Sequence, residues 1–388
     1  MEKIGKLKIV FYTDSFLPAH DGVVSSILNF RKELMRRGHE VHIFTAGNSK
    51  TKEAVAGMEN IHVIKGIKFP KYKQYNVALA PFITQMKLNE INPDIIHCHT
   101  PFFMGAWGLT LGKVNKIPVV STFHTLFTDR FVLQEYFSKR AVPYVQKYSW
   151  TYARLFYNRC DRVMAPSETL REVLEKHGIS KVSTVPNGVD TDRFNPSIKA
   201  GSLRRRLRKD RYERIVLYLG RMSKEKRVET LLKAAKLLKD DDVRFIMAGA
   251  GPSLDKYKHI ADRMRLDNVE FTGFVSDKAL PKYYAACDAF CIPSTFETQG
   301  VVCLEAMACG KPVVGADKLA LAEIIKNGRN GEKFKSLDSR ECARKIKKAL
   351  NNASSYKETR KTAMKYSIER TTDELLNVYN KVITEVTV

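Results

Sequence analysis

Apolar, β-branched runs of strand length alternate with amphipathic helical stretches along this chain, and the alternation occurs in two successive series. Strands that alternate with helices are typical of a parallel, doubly wound sheet with helices on both faces. The sequence therefore predicts an α/β protein with two doubly wound parallel sheets. The predicted strands are residues 8–13, 41–45, 61–64, 94–99, 118–124, 162–166 and 183–185 in the first series, and 215–219, 243–247, 269–271, 289–292 and 312–315 in the second.

The hydrophobic pattern is interrupted over residues 186–211, where the turn-forming sequences PNG and DRFNP precede an arginine-rich run. We place the domain boundary there, with a first domain over residues 1–195 and a second over residues 196–370. Residues 371–388 are predicted to form a C-terminal helix that packs back on the first domain. Ligands of open α/β sheets bind at the carboxyl ends of strands where the strand order reverses, so two such sheets predict one site in an interdomain cleft.

Composition and charge restrict the surroundings and the partners of the chain. Seven cysteines are scattered without any C-x-x-C pair, which is typical of reduced thiols in the cytoplasm. The first apolar run has only strand length, and no segment approaches the roughly 20 apolar residues of a membrane span, so we expect neither a signal peptide nor a membrane helix. A net charge of +24 favours nucleic acid, an anionic membrane or a phosphorylated substrate as partner. The basic run at residues 204–214 is expected to be a solvated linker.

Two carboxylates mark the strongest local motif, FETQGVVCLEAMACGKPVV. Glu297 follows a predicted strand, and Glu305 comes eight residues later, on a helix that begins near Gly300 or Val301. Carboxylates bind hydroxyl groups, and the backbone amides of Gln299, Gly300 and Val301 would face an anion at the helix N-terminus. The motif therefore predicts a site for a ligand that carries both hydroxyl and phosphate groups.

Two cations and a glycine-rich turn follow other strands of the second series. In LGRMSKEKRV, Arg221 closes a strand and Lys226 comes five residues later. Two cations at the carboxyl end of a strand can neutralise a diphosphate leaving group without a metal ion. The turn AGAGP, which contains Gly249, lets a ligand approach the backbone closely.

Taken together, these motifs resemble the retaining glycosyltransferases of the large family that includes glycogen synthases and phosphatidylinositol mannosyltransferases. That resemblance implies the GT-B fold, in which two Rossmann-like domains face an interdomain cleft. It covers nearly the whole chain, through DGVVSSI, DIIHCHTPF, STFHT, PNGVDTDRF, G-R-x4-K, AGAGP and E-x7-E. The first domain is most similar to lipid glucosyltransferases that act on diacylglycerol, through HCHTPFFMG and TFHT.

The resemblance also implies roles for individual residues. Glu297 would contact the transferred sugar and His124 would lie near the reacting centre, which makes these two the catalytic candidates. The diphosphate would be bound by Arg221 and Lys226, and the ribose hydroxyls by Glu305. The full set of residues expected to bind the donor is Gly22, Arg221, Lys226, Gly249, Gln299, Gly300, Val301 and Glu305.

This chain departs from the family pattern at two positions. It has Asp21-Gly22 where the family often has Gly-Gly, and Lys226-Arg227 where the family often has Lys-Gly. We expect the Asp21 change to matter more, because an acid in a phosphate-facing loop would repel the donor or contact the acceptor.

Some patterns leave alternatives open. The segment KGIKFPKYKQY interleaves basic and aromatic residues, as interfacial segments do. Tyr144, Tyr148, Tyr152 and Phe156 recur every four residues, either as a stripe that packs on the sheet or as a membrane face. Histidines at positions 97, 99 and 124 are expected to shape loops, and Asp190 and Asp192 to lie in a turn, so we predict no metal site.

The sequence thus predicts a retaining, metal-independent glycosyltransferase that needs no cofactor. It would move a hexose, glucose or mannose, from a UDP- or GDP-sugar to a membrane lipid such as diacylglycerol or another glycolipid precursor. The protein is expected to be cytoplasmic and peripheral on the inner face of the cell membrane. A cell-surface polysaccharide or a soluble acceptor is the nearest alternative, and a basic nucleic-acid-binding protein is a remote one. A dehydrogenase is disfavoured because no G-x-G-x-x-G follows the first strand.

Overall fold

Strands in the first half of the chain pair in an order that differs from their order in the sequence. The computed structural model describes residues 5–19, 21–68, 76–78, 81–134, 136–209 and 212–387. In this described part, contacts divide the chain into two units, one formed by the residues up to Gly188 with those from Ile368 onward, the other by Val189–Ser367. The strands of unit 1 are β1 (Lys8–Thr13), β2 (Glu40–Gly47), β3 (Ile61–Lys68), β4 (Asn76–Ala78), β5 (Ile95–Cys98), β6 (Val119–Thr122), β7 (Arg162–Ala165) and β8 (Val182–Thr184).

Those strands form one sheet in the order β4-β3-β2-β1-β5-β6-β7-β8. Strand β4 pairs with β3 in the antiparallel direction, and the other neighbours are parallel. The strand order reverses between β1 and β5, so the loops after these two strands emerge side by side. The helices of this part of unit 1 are α1 (Gly22–Arg36), α2 (Ser49–Ala54), α3 (Thr84–Ile91), α4 (Phe103–Asn115), α5 (Arg130–Leu133), α6 (Val142–Tyr157) and α7 (Glu168–Lys176).

Unit 2 is built around a second parallel sheet, with the order β11-β10-β9-β12-β13-β14. Its strands are β9 (Arg214–Leu219), β10 (Val243–Ala248), β11 (Val269–Gly273), β12 (Ala289–Ile292), β13 (Val313–Ala316) and β14 (Gly331–Phe334). Its helices are α8 (Gly201–Arg208), α9 (Val228–Leu237), α10 (Leu254–Arg263), α11 (Leu280–Ala286), α12 (Val301–Ala308), α13 (Leu319–Ile324), α14 (Ser339–Asn351) and α15 (Thr359–Lys365). Here the order reverses between β9 and β12.

Neighbouring residues of β9 belong to different hydrophobic clusters. Val216 and Tyr218 lie in one cluster, while Ile215 and Leu217 lie in another. Because successive side chains of a strand point to opposite faces, this sheet is covered by apolar side chains on both sides. The predicted pair of doubly wound α/β sheets is therefore confirmed.

The chain ends in helix α16 (Ile368–Thr387), which belongs to unit 1. Its Leu375, Tyr379 and Val382 are buried in the cluster that also contains Ile27 and Leu34 of α1. Their spacing of four and three residues places them on one face of the helix. Among the described residues, no helix is both long enough and apolar enough to cross a lipid bilayer.

The sequence predicts surface positions for two basic segments. The prediction of a solvated linker between domains at residues 204–214 is wrong, because the run lies within unit 2. Its first part belongs to α8, and Arg204 donates hydrogen bonds to Asp288 and to the carbonyl of Ala286. Residues 210 and 211 lie outside the described part. The basic and aromatic segment KGIKFPKYKQY is described only up to residue 68, where β3 ends.

Candidate active site

The two strongest motifs meet where the strand order of unit 2 reverses. The segment that contains Arg221 and Lys226 follows β9, and the segment that contains Glu297 follows the neighbouring strand β12. Lys226 Nζ lies 2.6 Å from Glu297 Oε1, and the two side chains are only 21% and 11% exposed. The structure therefore joins the predicted diphosphate-binding cation to the predicted sugar-binding carboxylate.

Lys226 is positioned by a short 3-10 turn, Lys224–Lys226, that ends in a left-handed residue. Arg227 has φ 53°, a conformation that favours glycine. The glycine that the family resemblance leads us to expect here would adopt this conformation at lower cost. Glu225 of the same turn is buried, accepts a hydrogen bond from the Ser223 hydroxyl, and accepts one from Thr295 N at its backbone carbonyl over 3.4 Å. The turn is thereby connected to the loop that precedes Glu297.

The AGAGP turn packs against the loop that carries Arg221. A Cβ atom at Gly249, whose φ is +137°, would lie 1.9 Å from the carbonyl oxygen of Gly220. A Cβ at Gly251 would lie 2.5 Å from the carbonyl oxygen of Met222. Only glycine permits this close approach of two backbones. The packing requirement accounts for Gly249, and a role in donor binding remains a prediction.

Helix α12 begins immediately after Gly300, which has φ 79° and serves as its left-handed N-terminal residue. Gln299 is buried beside this helix start, and Val301 is the first residue of the helix. Glu305 is one turn further in. Its Oε2 accepts a hydrogen bond of 2.6 Å from the hydroxyl of Tyr284 on α11.

Burial raises the pKa of Glu305 to about 7. The hydrogen bond from Tyr284 and the positive charge of Arg193 oppose this shift, while the negative charge of Asp277 adds to it. The carboxyl group is consequently close to the midpoint of its titration at neutral pH. Its ability to accept hydrogen bonds from ligand hydroxyls thus depends on its neighbours.

Gly22 lies in unit 1, as the exposed first residue of α1. The preceding Asp21 is the N-cap of this helix, and its Oδ1 accepts hydrogen bonds from Val23 N and Val24 N, both of 2.9 Å. Its Oδ2 accepts a hydrogen bond of 2.9 Å from the Ser15 hydroxyl. The acid that departs from the family pattern therefore satisfies the first amides of α1, as an N-cap does.

His124 follows β6 in unit 1 and is the last member of a row of three histidines. Its Nε2 lies 3.0 Å from His99 Nδ1, and the His99 ring stacks on that of His97, with 3.9 Å between ring centroids. His97 in turn is hydrogen-bonded through its two ring nitrogens to Tyr379 and Thr122, each at 2.7 Å. Burial lowers the pKa of His124 to about 3, so this ring is neutral at physiological pH.

Three hydrogen-bonding residues near the predicted site residues were not identified from the sequence. No sequence motif marks Tyr284, because its role depends on the packing of α11 against α12. The capping role of Asp21 was readable from an acid just before a predicted helix. Buried Asp14, directly after β1, accepts hydrogen bonds from Met104 N at 2.8 Å and from the Thr100 hydroxyl at 2.5 Å. Its position at the end of a strand could have identified it from the sequence.

Within the part of the chain that the structure describes, no group of three or more His, Cys, Asp or Glu side chains is arranged to hold a metal ion.

Both halves of the chain match models of known protein families. Residues 20–193 match the model described as Glycosyltransferase Family 4, and residues 201–367 match Glycosyl transferases group 1. The fold and these matches define a glycosyltransferase with the GT-B fold. The chain belongs to the group 1 glycosyltransferases, as the resemblance of its motifs predicted.

Named relatives agree with this membership, and a solved structure shares the fold. The chain is 32% identical over 332 residues to alpha-monoglucosyldiacylglycerol synthase of Streptococcus pneumoniae, a match that covers 82% of this chain and 73% of that protein. It is 28% identical over 347 residues to the GDP-mannose-dependent alpha-mannosyltransferase of Corynebacterium glutamicum, covering 88% and 80% of the two chains. The crystal structure of Anabaena Alr3699/HepE in complex with UDP and glucose superposes with a TM-score of 0.75 at 21% identity, covering 96% of this chain and 99% of that chain, and shows the shared fold.

Proposed function

We propose that this protein transfers glucose or mannose, with retention of configuration and without a metal ion, from a UDP- or GDP-sugar to a membrane lipid such as diacylglycerol. The observation that carries the proposal is the ion pair of Lys226 and Glu297, whose Nζ and Oε1 atoms are 2.6 Å apart where the strand order of unit 2 reverses. In this proposal Lys226 binds a phosphate of the donor and the neighbouring Glu297 contacts its sugar. In this proposal residues 196–370 bind the donor and residues 1–195 bind the acceptor.

The chemistry of the donor follows from the groups at the ends of β9 and β12. Arg221 and Lys226 stabilise the negative charge that develops on the departing diphosphate, together with the amides of Gln299, Gly300 and Val301 at the start of α12. Glu305 accepts hydrogen bonds from the ribose hydroxyls, and Glu297 orients the sugar and favours its oxocarbenium-like state. Two protein cations supply the positive charge that a metal ion would otherwise provide.

Transfer breaks the bond between the anomeric carbon and the diphosphate oxygen and forms a bond from that carbon to the acceptor oxygen. The acceptor hydroxyl attacks the face that the diphosphate leaves, and its proton passes to the departing phosphate oxygen. Because His124 is neutral, a part that it takes in the reaction would be played through hydrogen bonding rather than charge. Support for retention comes from a relative whose name couples a GDP-mannose donor to an alpha product, because the sugar of GDP-mannose is itself alpha-linked.

A lipid acceptor is supported by the name of the synthase from S. pneumoniae and by the surface of helix α6. Tyr144 and Tyr148 of this helix are 69% and 72% exposed, and Leu155 is 53% exposed. Residues 136–160 contain five Lys or Arg and no Asp or Glu. Exposed tyrosines among cations fit the interface of an anionic membrane. We call this exposed stripe of Tyr144, Tyr148 and Leu155 the α6 face.

The alternative, in which the aromatic residues of α6 pack on the sheet, does not hold for Tyr144 and Tyr148, which are exposed. Steps of four residues advance about 40° around a helix beyond a full turn, so three steps rotate a side chain by about 120°. Phe156 is therefore buried with Trp150, while Tyr144 and Tyr148 point outward. The α6 face supports a peripheral position on the inner face of the cell membrane.

The proposal is tested with a panel of UDP- and GDP-hexoses in EDTA, with vesicles that contain diacylglycerol and an anionic lipid. Wild-type protein is expected to release nucleotide diphosphate and to label lipid, and Lys226→Ala and Glu305→Ala are expected to do neither. Nucleotide release with soluble saccharides but without labelled lipid would refute the lipid acceptor and favour a polysaccharide or soluble acceptor. Salt-sensitive binding of RNA or DNA without turnover of any donor would refute hexose transfer.

A further inference from the structure

A buried tyrosine lies behind the second carboxylate of the E-x7-E motif. Tyr284 on α11 is fully buried, and its ring packs against Phe194 and Phe290, with 5.6 Å and 5.7 Å between ring centroids. Its hydroxyl donates the 2.6 Å hydrogen bond to Glu305 Oε2. A phenol in an apolar cluster requires a partner, and this carboxyl group is the one it reaches.

We propose that Tyr284 is a positioning residue that holds Glu305 for the ribose hydroxyls of the nucleotide donor. This inference rests on the proposed donor site. The bond uses one lone-pair site of Oε2 and restricts the rotation of the carboxyl group about its last torsion. The remaining lone-pair sites of the two carboxyl oxygens are thereby held in one orientation for the hydroxyl groups of a ligand.

The surroundings of Glu305 give the tyrosine a second effect, on the charge of the carboxyl group. Arg193 favours the ionised form and Asp277 opposes it. The thiols of Cys303 and Cys309 also lie near this carboxyl group, and burial raises the pKa of both, so they stay neutral. The hydroxyl of Tyr284 likewise stays protonated, since burial raises its pKa well above the ordinary value. Tyr284 is therefore a permanent donor that favours the carboxylate.

Removal of this donor has a pH-dependent consequence. Without the hydroxyl, the pKa of Glu305 rises further, and the group holds a proton to higher pH. A protonated carboxyl group accepts hydrogen bonds from ribose hydroxyls less well than a carboxylate does. Donor affinity should consequently fall most near neutral pH and recover as the pH is raised.

The test is calorimetric titration of the full-length protein with UDP-glucose and with GDP-mannose, in EDTA, between pH 6 and pH 9. The diphosphate of a nucleotide sugar is a diester that keeps its charge over this range. Ionisation of the base near pH 9 affects all variants alike, so the difference between a variant and the wild type reports on the protein. Tyr284→Phe is expected to weaken binding of the preferred donor about tenfold at pH 7 and much less at pH 9. In turnover assays KM for the donor should rise while kcat stays within about twofold.

Tyr283→Phe is the matched control. This neighbour is on the same helix, and its hydroxyl accepts a long 3.5 Å hydrogen bond from Arg206 instead of contacting Glu305. The control should keep wild-type affinity at every pH. Wild-type binding by Tyr284→Phe at pH 7, or an equal and pH-independent loss in both variants, would overturn the inference, as would undiminished donor binding by Glu305→Ala. Loss of lipid labelling with intact donor binding would instead count against the proposed acceptor and leave the role of Tyr284 standing.

Discussion

Lys226 and Glu297 form an ion pair although 71 residues separate them in the chain. The pair forms because β9 and β12 are neighbours, so the loops after the two strands emerge together. In this arrangement the cation is balanced before any ligand binds. In the proposed donor site, a donor whose phosphate binds Lys226 would have its sugar beside Glu297.

The first prediction is that the two residues act as a unit. Lys226→Ala should lower kcat/KM for the donor by about 100-fold or more, because charge on the leaving group loses its stabilisation. Glu297→Gln should also lower it, and the double variant should lose less than the product of the two effects. Steady-state kinetics of the four proteins measure this coupling. Multiplicative losses would show that the ion pair has no functional role.

Arg227 leads to a prediction about stability. Its left-handed φ of 53° costs about 1 kcal/mol for a residue with a Cβ and little for glycine. Arg227→Gly should therefore be about 1 kcal/mol more stable than Arg227→Ala in urea unfolding. The alanine variant is the matched control, since both substitutions remove the same side chain. Equal stabilities would contradict the strain assigned to this turn.

Asp14 predicts an unusual dependence of stability on pH. Burial raises its pKa to about 6, whereas an unfolded aspartate titrates near 4, about 2 units lower. Between about pH 4 and pH 6 the folded state holds a proton that the unfolded state has lost, so the free energy of unfolding falls as the pH rises. Asp14→Asn abolishes this fall. The stability of the wild type relative to Asp14→Asn should thus decrease from pH 4 to pH 7.

A control for this prediction is Glu168→Gln. Hydrogen bonds from Arg171 and Thr184 lower the pKa of Glu168 to about 2, so its contribution to stability is complete above the unfolded pKa and is lost as the pH falls towards 2. Between about pH 5 and pH 7 the stability of the wild type relative to Glu168→Gln should therefore stay constant, and it should fall only below about pH 4. If the stability of the wild type relative to each of the two variants changed with pH in the same way, Asp14 would not be the cause of the fall in stability.

Membrane binding should depend on the α6 face. The double variant Tyr144→Ser, Tyr148→Ser should partition at least about tenfold less onto anionic vesicles, and Lys147→Gln should weaken binding by about 1 kcal/mol. Phe274→Ser is the control, because this residue is 63% exposed but lies in unit 2. Sedimentation with vesicles gives the partition coefficients. Equal losses in Phe274→Ser and the tyrosine variant would contradict a specific surface.

Most strands were predictable because each is a continuous apolar run, as buried parallel strands are. β1 and β12 have the predicted bounds. Strand β14 was missed because it is short and contains Glu332. This buried acid is paired with Lys345 and Lys348 of α14, at 2.8 Å and 2.7 Å. The buried charge of this strand is compensated by lysines of a helix that follows it in the chain. The local hydrophobic pattern of the sequence does not predict such ion pairs.

The candidate site likewise has residues that the local sequence predicts and contacts that depend on tertiary packing. Cations and carboxylates at strand ends were recognisable from their spacing, because strand ends are where α/β sheets bind ligands. No sequence motif predicts the contact of Tyr284 with Glu305 or that of Asp21 with Ser15, because both depend on how separate segments pack. Asp21 caps α1, and the expectation that it repels the donor or contacts the acceptor stays a prediction.

The configuration of the glycolipid product tests the central proposal most directly. The one-bond carbon–proton coupling at the anomeric carbon should be measured on product formed in EDTA from the preferred alpha-linked nucleotide sugar. We predict an alpha product at an undiminished rate, since the proposal assigns to Lys226 and Arg221 the charge that a metal ion would otherwise supply. A beta product would contradict retention, and loss of activity in EDTA that Mg²⁺ restores would contradict metal-independent departure of the diphosphate.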